Sequence, residues 1–125
     1  MSIFPPGSIL AGIFLILSIL SGAWLTHIGR PLNVVIMTIH KLISLGAVIL
    51  TCVSIYLVDQ AVVITAAEWI NILIIGILFI TLFASGAVLS GGKVLKGALL
   101  VAHKSFPFLS VICFIVLFYH IAIGR

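Results

Sequence analysis

The chain has 125 residues, 64% of them hydrophobic and 6% charged, with a net charge of +4 and a mean hydropathy of +1.53, where a soluble domain carries ~45–50% apolar and ~25% charged residues. That composition excludes a water-soluble globular protein. The segments between apolar runs are too short for a soluble catalytic, nucleotide-binding or nucleic-acid-reading domain, so the basic excess is a topology signal and no nucleic-acid partner is expected.

Uncharged runs cover 1–29, 42–58, 69–92 and 105–124, and with flanking lysines snorkelling each reaches the ~20 residues that cross a bilayer. The expected fold class is therefore all-α: an integral membrane four-helix bundle, with residues 1–125 as a single transmembrane domain in contact with the lipid bilayer. The first span is expected over 6–26, beginning after Pro5-Pro6, because proline is tolerated at a helix start. The residues before it lack the basic region of a cleaved signal peptide. The turn His27-Ile28-Gly29-Arg30-Pro31 leads to a second span over 34–58. In the following loop, Thr65-Ala66-Ala67-Glu68 has the form of a capping box ahead of a third span over 66–89. Ser90-Gly91-Gly92-Lys93 breaks that helix, and a fourth span is expected over 95–123. Cys52 and Cys113 fall inside apolar runs without CxxC spacing and read as small hydrophobes.

Four spans put loops 1–2 and 3–4 on one side and both ends of the chain with loop 2–3 on the other. Arg30, Lys41, Lys93, Lys96 and Lys104 belong to the first side; Arg125, Asp59 and Glu68 belong to the second. The positive-inside rule then predicts cytoplasmic loops 1–2 and 3–4 and outward-facing termini, in a plasma (inner) membrane.

The two halves repeat each other. Ser21-Gly22-Ala23-Trp24-Leu25-Thr26 closes the first helix and Ser85-Gly86-Ala87-Val88-Leu89-Ser90 the third, while Met37-Thr38-Ile39-His40-Lys41 falls opposite Leu100-Val101-Ala102-His103-Lys104 with one residue of slip. This predicts two parallel-repeated helical hairpins, about 7–58 and 70–123, related by a pseudo-two-fold axis along the membrane normal. His40 and His103 then share one depth, about two turns from the basic surface. His40, Ser44, Ala47, Thr51 and Ser54 form a small, polar stripe on the second helix, as do His103, Pro107 and Ser110 on the fourth and Ser8, Ala11, Ser18 and Gly22 on the first. Such stripes face protein, so both histidines point inward.

An ionisable residue inside a membrane is costly and marks function, and two at matching depth sharpen the signal. Neutral imidazole ligates iron, and two of them facing each other can hold a haem from both sides. In this reading His40 and His103 are the metal ligands. Gly22 and Gly86 let the macrocycle approach the backbone, Ser44 supports a ligand, and Lys41, Lys104 and Arg30, with Lys93 beside them, meet the propionates. Pro107 removes the amide that would bond the His103 carbonyl. His27 and His120 read as interfacial, and Trp24, Trp69, Tyr56 and Tyr119 as aromatic belts.

The small-residue SGA-x-L helix end followed by histidine-lysine in the next helix resembles bacterial four-helix b-type cytochromes of the cytochrome b561-like kind. The resemblance implies a membrane haem protein that passes single electrons, with a quinone or a redox protein as partner; a homo-oligomer is compatible with it. The motifs predict one haem b per chain, bound non-covalently since no CxxCH is present, because His120 has no counterpart on the second helix. The competing readings are a haem-free four-helix transporter and a membrane anchor or assembly subunit. For the transporter, Asp59 and Glu68 are both assigned to the loop 2–3 side, away from the membrane interior, where a coupling carboxylate is needed.

Overall fold

The computed structural model describes residues 4–5, 7–29, 31–91 and 97–124. It is an all-α bundle of four helices: α1 (Ser8–Ile28), α2 (Val34–Ala61), α3 (Ala66–Ser90) and α4 (Ala98–Ile123). At 1.5 Å per residue, even the 21 residues of α1 extend ~32 Å, enough to cross the hydrocarbon core of a bilayer. All four helices are long and apolar enough to span a membrane, and the chain is an integral membrane protein.

Local chemistry sets the helix ends. Asn33 caps α2 by accepting from the amides of Val35 and Ile36 at 3.0 and 3.2 Å, which satisfies two donors that have no partner within the helix. At α3 both arms of the capping box form: the Thr65 hydroxyl accepts from the Glu68 amide at 3.3 Å, and Glu68 Oε2 accepts from the Thr65 amide at 2.7 Å. Gly29 (φ 77°) and Gly97 (φ 71°) sit in the left-handed region at the turn after α1 and the start of α4, a conformation that costs a side-chain-bearing residue strain. Helix α2 runs three residues beyond the expected 58 and α4 begins at Ala98, three residues after the expected 95. The expected breaker residues 92–96 lie outside the described residues.

Helices α1 and α2 pack along each other, as do α3 and α4, and the two hairpins meet chiefly where α1 faces α4. The short α2–α3 loop thus joins the hairpins without making those helices close neighbours. The two ends of the bundle are called here the turn end, at the α1–α2 and α3–α4 connections, and the terminal end, at the start of α1, the α2–α3 loop and the end of α4.

The exterior is more apolar than the interior. Ile9, Ile13, Leu20, Leu42, Ile77, Ile80 and Ile112 are exposed, whereas Ser8, Thr51, Ser54, Ser85 and Ser110 are buried. Each buried hydroxyl bonds a carbonyl of its own or the preceding segment: Thr51 to Ala47 at 2.8 Å, Ser54 to Leu50 at 2.8 Å, Ser110 to Phe106 at 2.8 Å and Ser8 to Pro5 at 2.7 Å. Small hydroxyl residues satisfied in this way let backbones approach closely in a solvent that offers no hydrogen bonds. The α2 stripe therefore faces protein.

Core packing is uneven along the membrane normal. The buried apolar side chains are Ala11 and Leu15 in the first half of α1, Ala47 and Val58 in the later part of α2, Ile75, Leu78 and Phe79 in α3, and Phe114, Leu117, Phe118 and Ile121 in the last part of α4, with Ile64 in the loop. All belong to the terminal end or the middle. Phe114 and Phe118 stack at 4.6 Å between centroids, and a Cβ on Gly12 would lie 3.5 Å from the Phe114 ring, so α1 and α4 close on each other at this level. Among the described residues nearer the turn end, Ser85 is buried and no large apolar side chain is.

Candidate functional site

His40 and His103 occupy that turn-end half. His40 lies six residues into α2 and His103 five residues into α4, placing them ~9 and ~8 Å along their helix axes. Both are half-buried.

Each imidazole is held by the partner helix of its own hairpin. Ser21 Oγ lies 2.9 Å from His40 Nδ1, and Ser85 Oγ lies 2.6 Å from His103 Nδ1. The next residue completes the support: a Cβ on Gly22 would meet His40 Cε1 at 3.1 Å, and one on Gly86 would meet His103 Cε1 at 3.3 Å. The carbonyls of Ser18 and Leu82, one turn back on the same helices, lie 3.0 and 3.1 Å from those serine hydroxyls. Serine, glycine and carbonyl thus recur in both hairpins at corresponding positions. Among the described residues, neither Nε2 has a hydrogen-bond partner.

This geometry changes the role of several residues singled out in the sequence. Gly22 and Gly86 make room for imidazoles; their nearest neighbours are the rings themselves, where the sequence had suggested the face of a macrocycle. Ser44 does not reach a histidine ring. Its hydroxyl donates to the His40 backbone carbonyl at 2.7 Å and lies 2.5 Å from Ser18 Oγ, so it ties α2 to α1 below the imidazole. The serines that do reach the rings, Ser21 and Ser85, open the repeated SGA-x-L segments. Their duplication alongside the histidines was the available signal, but the chemistry had been assigned to the glycines that follow them.

Lys41 and Lys104 are exposed in the first two turns of α2 and α4, directly after the histidines. Arg30 and Lys93, named as further partners for anionic groups, lie outside the described residues. Pro107 sits inside a continuous α4, one turn after His103. His27 is exposed at the turn end.

At the terminal end His120 Nδ1 lies 3.0 Å from Glu68 Oε1, with the carboxylate 3% exposed and the imidazole 54% exposed. Glu68 is thus buried in the first turn of α3, not displayed in a solvated loop, though it remains at the terminal end. His120 is 17 residues beyond His103 on α4, ~26 Å away along the axis, so the two sites are separate.

Fold and site together describe a membrane four-helix bundle of two similar hairpins, each presenting one seated imidazole. No family model, curated protein or solved structure matches the chain.

Proposed function

We propose that the chain is a b-type cytochrome in which His40 and His103 bind one haem through Nε2, and that it carries single electrons to or from a quinone or a redox protein. The observation that carries this reading is the duplicated seat: in both hairpins a serine takes Nδ1 while, among the described residues, Nε2 has no hydrogen-bond partner. A histidine that ligates a metal through one nitrogen characteristically has the other tied to a hydrogen-bonding group. Uneven packing adds support, since an apolar macrocycle would supply buried surface in the half where large side chains do not.

When bound, haem would supply a one-electron iron couple. The chain's own residues do the rest. The two hairpins hold the imidazoles at one level, the surrounding apolar helices keep water from the site, and Lys41 and Lys104, with Arg30 in the adjoining turn, offer cations at the turn end for the two propionates. In this reading the basic turn end is cytoplasmic and both termini are outside. A role limited to gluing helices accounts for the Nδ1 bonds. It gives no reason for two Nε2 atoms that, among the described residues, have no partner in the same half of the bundle.

The deciding experiment is an absorption spectrum of the purified protein. A Soret band with sharp low-spin α and β bands on reduction, at about one haem per chain, is expected if His40 and His103 both bind the haem. A colourless preparation that gains no Soret band when haem is added overturns the reading.

A further inference from the structure

We propose that Ser21 and Ser85 are positioning residues that fix the tautomer of His40 and His103, keeping the proton on Nδ1 and the Nε2 lone pair bare before any metal arrives. A serine hydroxyl has one proton to give. The Ser18 carbonyl, 3.0 Å from Ser21 Oγ, is an acceptor for that proton on the serine's own helix. Ser85 Oγ has two such acceptors, the Thr81 carbonyl at 2.8 Å and the Leu82 carbonyl at 3.1 Å. With that proton committed to the serine's own helix, the hydroxyl oxygen meets the imidazole as an acceptor. Nδ1 must then be the donor, across 2.9 Å for His40 and 2.6 Å for His103.

Two further features agree. The carbonyls of Ser18 and Leu82, which can only accept, stand 3.0 and 3.1 Å from the same serine oxygens, so a bare Nδ1 would add one more lone pair to a site already rich in acceptors. In a bundle interior with little water, such a mismatch is costly because no solvent proton can repair it. The glycines complete the device. With no Cβ at position 22 or 86, Cε1 of each ring can come close to the helix that carries the serine. The His103 seat is the tighter of the two, with the shorter Nδ1 contact and two carbonyls competing for the serine proton.

This inference rests on the haem reading for its purpose, since a bare Nε2 is what iron needs, but the tautomer belongs to the chain alone. It is tested on haem-free protein, ¹⁵N-labelled at histidine and held in lipid nanodiscs, with His40→Gln and His103→Gln used to assign the nitrogen resonances. Both histidines should show protonated Nδ1 and unprotonated Nε2, the reverse of the tautomer favoured by a neutral histidine in water. Ser21→Ala should lower the Nδ1–H fraction at His40 and leave His103 unchanged; Ser85→Ala should do the converse; Ser21→Thr, which keeps the hydroxyl, should restore His40. In haem-loaded protein the alanine variants should have higher reduction potentials, because an acceptor at Nδ1 enriches the electron density that Nε2 donates. Protonated Nε2 in the wild-type protein, or tautomer fractions unmoved by both alanine substitutions, overturns the proposal. The two readings fail separately. A locked tautomer in a chain that never takes up haem defeats the cytochrome and leaves the serines' role standing, whereas a haem protein whose free histidines carry Nε2–H does the opposite.

Discussion

Two imidazoles with nearly the same surroundings should respond to substitution in nearly the same way. His40→Ala and His103→Ala each remove one of the paired seats, so haem content should fall several-fold or the spectrum turn high-spin in both, while His27→Ala and His120→Ala leave the spectrum unchanged. Retention of a low-spin spectrum in His40→Ala shows that the ligand pair is wrong. The glycines give a graded companion test. Adding a methyl at Gly22 forces a 3.1 Å contact with the His40 ring, whereas one at Gly76 meets nothing within 4 Å. Gly22→Ala should therefore displace the imidazole and lower haem occupancy, and Gly76→Ala should keep full occupancy while gaining up to ~1 kcal/mol of helix propensity. The histidines, glycines and inward stripes could be read from residue spacing because a helix repeats every 3.6 residues. The serine contacts could not, because they depend on how far each hairpin's helices are rotated about their axes, which spacing on one helix does not determine. Ser44 illustrates the loss: it shares a face with His40, yet its proton goes to the carbonyl one turn back.

At the scale of elements, helix starts marked by local chemistry were legible, and tertiary partners were not. The capping box at Thr65 and Glu68 is a four-residue pattern whose two bonds form within the segment. That the same carboxylate also holds His120, 52 residues on, required the packing of α4 against α3. Glu68 thus links the start of α3 to the last turn of α4, and its removal costs both a cap and a buried partner. Glu68→Ala should destabilise the protein by about 1–3 kcal/mol, read as a lower midpoint in thermal or chemical unfolding in detergent. Because His120 is ~26 Å along the helix from His103, the haem spectrum of folded Glu68→Ala should match wild type. A changed Soret position would show that the two ends of the bundle are coupled through α4.

Across the whole molecule, packing and charge are polarised along the same axis. Buried apolar side chains gather toward the terminal end, where both carboxylates also lie, and the turn end combines the histidines with the cluster of basic residues. Such an arrangement assigns stability to one half and the proposed haem site to the other. Leu117→Ala, at a position 1% exposed, should cost ~2–5 kcal/mol through the cavity it leaves and still permit haem binding in the folded fraction. If the chain carries electrons as proposed, orientation decides which side of the membrane exchanges them most directly. In the sequence Arg30, Lys41, Lys93, Lys96 and Lys104 fall in or beside the two turn-side connections and both carboxylates fall elsewhere, from which the positive-inside rule predicts a cytoplasmic turn end. A reporter fused after Arg125 should accordingly be active outside the cytoplasm, and one inserted in the α3–α4 connection should be active within it. The inverse pattern would move the histidine layer to the outer half of the bilayer, so that a donor or acceptor would have to approach from the opposite compartment. Neutralising Lys93 and Lys96 together supplies the control: if these charges set the orientation, their loss should yield a mixture of reporter activities, whereas an unchanged pattern would assign the orientation to Arg30, Lys41 and Lys104.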